Sequence, residues 1–461
     1  MTDQGVGRRI RELRQEQGLL QAELVKPGLV SAGYLSLIES GRRRPSPEVL
    51  RHLAEQLGTT PDHLATGLQP DRWQETERRL AFAELALQHA TANGALSEFE
   101  EVIRTGPPPL HARAELGRAQ ALELLGRTEQ AITAYEALWK ATEPGTALWA
   151  ERATDVLRCS RDLGDYGYAA DLGERAMATF EDLGVEWSDS AVRLGVTLAG
   201  VYVQRGDLGR AAHLLRRLIE ISDGTGSPPA RGSAYWNAAV TAHYQGRGAD
   251  ARAFADRALA LFGETDHQRN LAVLRTFYGE LLLDGEPADP GQAREFLLDA
   301  HDRLTQLASP AEISECETCL ARAAVRIGDL DEALRWAQAA RSRLTADAAP
   351  VAEAEALIAL GMVHLAADNP AQALAALAEG ERVLARAAPG RSVVNLWNLM
   401  GSLHEERGDT AAALRSYRQG LTAAGYRRPS RLLTRPDVAP APARAAAADA
   451  GAVALQDTAL P

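Results

Sequence analysis

Apolar residues recur three and four positions apart along most of the chain, and no stretch shows the strict alternation of a half-buried strand. In residues 6–17, Val6, Ile10 and Leu13 share one face among arginines, which predicts an amphipathic helix closed by Gly18. A short helix follows from about Gln21 to Lys26. Pro27 and Gly28 end it, since proline cannot continue a helix. Ser31 is a good N-cap for a helix from Ala32 to Ser40, ended by Gly41. Ser46-Pro47-Glu48 opens the next, with Leu50, Leu53, Ala54 and Leu57 as its apolar stripe and Gly58 as its stop. Thr60-Pro61-Asp62 starts a fifth, through Leu64.

Beyond residue 70 one phrase returns: a turn residue, a helix start, then an alanine. The alanines are Ala131, Ala169, Ala211, Ala251, Ala293, Ala333, Ala373 and Ala413, spaced 38 to 42 residues apart. A period of that length predicts a solenoid of helix–turn–helix units. The stretch Gly94–Phe99 reads as a divergent cap repeat, and residues 223–230 as a loop inside the array. The pattern stops near Tyr426, and the Pro/Ala-rich stretch 427–461 is expected to be a disordered tail.

Composition narrows the function. The 461 residues carry a net charge of −12, but residues 1–67 hold 9 basic and 8 acidic side chains, so the acidity lies in the repeats. An acidic body repels nucleic acid, which confines any DNA contact to the N-terminal part. Only Lys26 and Lys140 are lysines, and neither lies in a phosphate-binding loop. Three cysteines do not make a disulfide scaffold, and Cys316 and Cys319 read as two thiols packed near each other. His243 and His404, in repeat helices, read as packing or surface residues. With no apolar run long enough to span a bilayer and no signal-peptide core, a soluble cytoplasmic protein away from the membrane is expected. The catalytic motifs of metalloproteases, serine hydrolases and dinucleotide enzymes are missing from the sequence, so no enzyme, cofactor or metal is expected.

Residues 5–67 resemble the lambda-repressor-like, or Xre-family, helix-turn-helix domain. The resemblance rests on Ile10, Leu13, Arg14, Gly18, Gln21-Ala22-Glu23-Leu24, Val30-Ser31, Tyr34-Leu35-Ser36, Ile38-Glu39, Gly41, Pro45-Ser46 and Leu57-Gly58. One departure is Lys26-Pro27-Gly28-Leu29, where the family continues its second helix for another turn. The resemblance implies that Ser31, Ala32, Gly33, Ser36 and Leu37 face base edges in the major groove. Ala32 and Gly33 cannot hydrogen-bond a base, so shape and backbone contacts are expected to matter more than direct readout. The resemblance also implies a phosphate contact at Gln21, and a buried ion pair between Arg14 and Glu39. Arg42, Arg43 and Arg44 are the best phosphate-neutralising cluster; outside this motif the same run would read as a solvated surface.

The repeat phrase resembles the tetratricopeptide repeat, in a version longer than the common one, over roughly 110–425. The architecture expected is therefore all-α: a five-helix domain at 1–68, a linker helix and cap repeat at 69–109, an α-solenoid at 110–426 and the tail at 427–461. Such repeats line their concave face with the first helix of each pair. Taking positions 18, 15, 14 and 11 before each repeat alanine gives Arg113, Gln120, Arg158, Arg193, Thr197, Trp236, Asn237, Arg322, Asn395 and Asn398. Asparagine can bond both groups of a peptide backbone, and arginine can grip a carboxylate. Arg158, Arg193, Asn237, Arg322, Asn395 and Asn398 are thus the candidate effector-binding residues, against the bland alternative of a solvated polar face.

An Xre-type reader joined to such an array resembles the peptide-responsive, quorum-sensing regulators of Gram-positive bacteria. That implies a homodimer on an operator of double-stranded DNA, controlled by a peptide or protein effector. The alternative is an interaction scaffold, or a regulator under small-molecule or partner control, with weak DNA binding.

Overall fold

Ser31, Ser46 and Thr60 each cap a helix in the way their side chains allow. Their hydroxyls accept the backbone N–H of Tyr34 at 3.2 Å, Val49 at 3.3 Å and His63 at 3.1 Å. The helices they start are α2 (Ala32–Glu39), α3 (Pro47–Gln56) and α4 (Pro61–Thr66), after α1 (Gln4–Glu16). The segment after α1 is shorter than the sequence suggests, a single 3₁₀ turn over Gln21–Leu24. Pro27 and Gly28 then reverse the chain in a turn closed by the Lys26 and Val30 backbones. Ile10, Leu24, Leu35, Ile38, Leu53, Leu57 and Leu64 form a closed core. α1 approaches α2 so tightly that a Cβ at Gly7 would lie 1.9 Å from the Ile38 carbonyl oxygen.

The computed structural model describes residues 4–67, 70–88, 92–184, 187–344 and 350–426. The expected tail at 427–461 lies outside the described residues. After helices Pro70–Gln88 and Ala92–Thr105, eight helix pairs follow, from Pro108–Leu124 with Thr128–Ala141 to Arg391–Glu406 with Thr410–Ala423. All regular elements among the described residues are helical.

The repeat phrase has a direct structural meaning. Its turn residues adopt the left-handed conformation at Gly126, Gly164, Gly206, Gly246, Gly328 and Gly408, and Asp368 does so with φ 54° in one of the two repeats without that glycine. Its eight alanines are at most 1% exposed, because each sits where the two helices of a pair cross. Two expectations are corrected. Residues 223–230 are not a loop: helix Leu208–Thr225 runs through Asp223, and Pro228 starts the next helix behind the Ser227 cap. Gly94 is not a turn either, but lies inside helix Ala92–Thr105.

First helices of most successive pairs pack on one another and form the inner wall of the curve. The array then closes on itself. Helix Arg391–Glu406 returns to helix Asp189–Arg205, where Gln204 Nε2 donates to Ser392 Oγ at 3.3 Å. The Arg391 guanidinium donates to the Tyr244 carbonyl at 3.3 Å. The concave side is thus a channel bridged by the last repeats.

Candidate functional site

The N-terminal domain presents one exposed edge. Ser31, Ala32, Gly33, Ser36 and Leu37 are all exposed along the start of α2, with Leu37 at 41%. Ser31 spends its hydroxyl on the helix cap. Arg42 and Arg43 follow α2 in a turn whose N–H groups both bond the Leu37 carbonyl. Their side chains are exposed and without an ion pair among the described residues. Arg44 is exposed beside them, its carbonyl held by the Tyr34 hydroxyl at 3.1 Å.

Behind this edge lies the ion pair that the sequence suggests. Arg14 Nε and Nη2 donate to the two Glu39 oxygens at 2.8 and 3.0 Å, and Nη1 donates to the Leu19 carbonyl at 2.8 Å. The two side chains are 12% and 5% exposed. Burial would raise the Glu39 carboxyl, but hydrogen bonds from Arg14 and Gln21 hold it below the usual carboxylate range. Gln21 Nε2 donates to Glu39 Oε2 at 2.9 Å, so one of its two amide protons is already engaged. The trio fixes α2 against α1 and the 3₁₀ turn, and so sets the orientation of the exposed edge.

The inner wall of the repeats differs from the sequence reading in charge. Each arginine proposed to grip an effector carboxylate already has an acidic neighbour. Arg158 binds Glu123, with Nη2 to Oε2 at 2.9 Å, and lies 3.5 Å from Asp155. Arg193 lies 3.7 Å from Glu151. Arg322 donates to Asp284 at 2.6 Å and approaches Glu280 at 3.4 Å. Arg113 pairs with Glu84. Asn237 is half-buried and donates to the Ser233 carbonyl of its own helix at 3.0 Å. Trp236, taken as a lining residue, packs edge-on against Phe262 with ring centroids 6.3 Å apart. Asn395 is half-buried and Asn398 exposed on helix Arg391–Glu406.

The register that selects Arg193 and Asn395, 18 residues before the repeat alanine, also selects Glu151, Glu315 and Glu355. These acids share the wall with the arginines and asparagines expected there from the same register. Glu315 is exposed and Glu355 half-buried, and both lie within electrostatic reach of Tyr244 together with Glu280 and Arg391. Desolvation by the surrounding wall first, then neighbouring carboxylates, push both carboxyls above their ordinary range.

Other chemistry-bearing groups are committed to the fold. His243, Glu280 and Asp284 bring possible ligand atoms within 4.8 Å of one another, but the Arg322 guanidinium already supplies a cation there. Cys316 donates to the Leu297 carbonyl at 3.4 Å, and burial pushes its thiol up to about 12. Cys319 is buried. His404 is buried against Glu381 at 3.2 Å, and His243 meets the Phe277 ring edge-on. No helix among the described residues is long and apolar enough to cross a membrane.

Known proteins resemble the two halves separately. The helix-turn-helix domain family matches residues 6–67, and the tetratricopeptide repeat family matches 232–257, 316–339 and 354–379. The chain is 43% identical over 61 residues to the HTH-type transcriptional regulator DdrOP3 of Deinococcus deserti, a match of 13% of this chain and 47% of that protein. It is 41% identical over 61 residues to the uncharacterized HTH-type transcriptional regulator y4dJ of Sinorhizobium fredii, 13% of this chain and 79% of that protein. The chain thus spans about half the length of the first relative and most of the second. Among solved structures it is similar to a Rap protein complexed with Competence and Sporulation Factor. That likeness, at 12% identity and a TM-score of 0.50, covers 76% of this chain and 98% of the other, and concerns the fold alone.

Proposed function

Because the chain belongs to the helix-turn-helix family of transcriptional regulators, we propose that it binds operator DNA through residues 6–67 and adjusts that binding when an effector occupies the channel of its repeats. One observation carries the reading: an exposed α2 edge flanked by the exposed Arg42 and Arg43, on a domain joined to an array with a polar inner channel. Ser31, Ala32, Gly33, Ser36 and Leu37 face the groove, Gln21 and Arg42–Arg44 hold phosphates, and base readout is thin. A reader of this kind gains specificity by pairing two half-sites about one helical turn apart, so the working form is a homodimer joined through the repeats. The effector is a short extended peptide. Its backbone meets Asn237, Asn395 and Asn398, with Arg158, Arg193 and Arg322 beside it. The similar Rap protein was solved with Competence and Sporulation Factor bound, which supports a ligand for a fold of this kind.

A gel shift across a salt series, with DNA from upstream of the protein's own gene and random DNA, tests the first half. Binding that is tighter on the upstream DNA supports an operator. Equal, weak binding on both favours an interaction scaffold, a reading supported by Ala32 and Gly33, which offer no hydrogen bond to a base. Mass spectrometry of ligand co-purified with the protein tests the second half, and a non-peptide ligand would replace the peptide.

A further inference from the structure

The face of α2 turned away from the core is poor in hydrogen-bonding groups. Gly33, Ser36, Leu37 and Ser40 fall on one side of the helix by their spacing, and all four are exposed. Ser31 accepts the Tyr34 N–H, and the Ser40 hydroxyl donates to the Leu37 carbonyl at 3.1 Å. The Tyr34 hydroxyl is spent on the Arg44 carbonyl, and Glu39 is bound by Arg14 and Gln21. Ser36 keeps a hydroxyl that bonds nothing among the described residues. A serine hydroxyl both donates and accepts, so it suits any base pair and distinguishes little between them.

Leu37 is the large apolar group on that face. It is 41% exposed, while Leu35 and Ile38 beside it are at most 1% exposed. The space before it is open: a Cβ at Gly33, one turn earlier, would meet nothing within 4 Å. Its carbonyl takes the N–H groups of Arg42 and Arg43 at 2.9 and 3.2 Å, so the turn with those two exposed guanidinium groups is tied to this residue. A helix-turn-helix domain lays its second helix in the major groove, with phosphate contacts fixing its register. The apolar feature that the groove offers is the C5-methyl group of thymine. We propose that Leu37 is a specificity-determining residue that packs on a thymine methyl, so that the operator is read through methyl groups more than through donors and acceptors. This rests on the operator reading of the N-terminal domain and names what that domain recognises. Gly33 lets the base edges approach, and Arg42 and Arg43 on phosphates fix the depth at which Leu37 sits.

The test uses the full chain to select tight binders from a pool of random duplexes long enough for two half-sites. In the selected duplex each thymine is replaced in turn by deoxyuridine, which keeps every hydrogen-bonding atom and lacks only the methyl group. Affinity at fixed salt should fall about fourfold at one thymine of each half-site, the factor for returning one methyl group to water. Leu37→Ala should bind the thymine and deoxyuridine duplexes equally. It should keep the parent's salt slope on random DNA, which shows that the domain still folds and docks. If Leu37→Ala does not fold, Leu37→Gln is read in its place and should be equally indifferent to the methyl group. Should no replacement weaken binding, or should the loss persist in the variant, this inference is overturned and the operator reading stands. A selection that returns no preferred sequence overturns both.

Discussion

The Arg391 guanidinium lies over the Tyr244 ring, 5.5 Å from its centroid, and donates to the Tyr244 carbonyl at 3.3 Å. The two residues are 147 positions apart, and their contact bridges the concave side of the array. A cation over an aromatic face and one hydrogen bond together contribute on the order of 1–3 kcal/mol. Arg391→Ala should therefore leave the repeats folded and loosen the bridge. Hydrogen exchange should speed up in helices 189–205 and 391–406. Unchanged protection would mean that Gln204 and Ser392 hold the bridge alone.

Arg14→Ala should destabilise the N-terminal domain by about 3–5 kcal/mol, because it leaves Glu39 buried without its partner. Hydrogen exchange of residues 4–67 in the full chain is the measurement. Protection equal to the parent would show that Gln21 and water satisfy Glu39 unaided.

Changing Arg42, Arg43 and Arg44 together to alanine should weaken operator and random DNA similarly. Each lost phosphate contact flattens the slope of log K against log salt by about 0.9. A slope equal to the parent's would remove the cluster from the interface.

Asn237→Ala should weaken effector binding and leave ligand-free DNA binding intact. Its amide already bonds within its own helix, and alanine is the better helix former, so stability should not fall. A typical coupling of about 1–3 kcal/mol would make the effector worth a 5- to 150-fold change in operator affinity in the parent. Loss of the fold on substitution would place Asn237 in the core.

Stability should peak at mildly acidic pH. Glu315 and Glu355 are raised in the fold, by desolvation against the wall first and then by neighbouring carboxylates, so the folded state holds their protons more tightly than the unfolded chain. Their share of stability is full below the ordinary carboxylate range and is lost as pH rises through the raised values. Glu312 and Glu317 act in the opposite sense. Burial would raise both, but bonds from Ser309 and Arg269, and from His301 and Arg343, hold them low. Their share is lost as pH falls through those lowered values. The melting temperature should rise from about pH 8 toward about pH 5 and then fall. Glu315→Gln/Glu355→Gln should flatten only the upper limb.

Much of this molecule follows from local sequence. Caps at Ser31, Ser46 and Thr60, and the turn residue and alanine of each repeat, act within a few positions of themselves. Their spacing therefore specifies the helices and the way each pair crosses. The Arg14–Glu39 pair was legible because a whole motif surrounds it. The corrected loop at 223–230 shows the limit of composition: Ser227 and the prolines after it mark a helix start as readily as a loop. The charge of the channel was decided in three dimensions. Register alone places Arg193, Glu315 and Glu355 on the same wall, but whether a charge is countered depends on the helix one repeat away, across 38 to 43 residues in pairs such as Arg322–Asp284 and Arg269–Glu312. The bridge between Arg391 and Tyr244 depends on the small rotation between repeats summed around the curve. No local period encodes that sum, so closure of the array belongs to the tertiary structure.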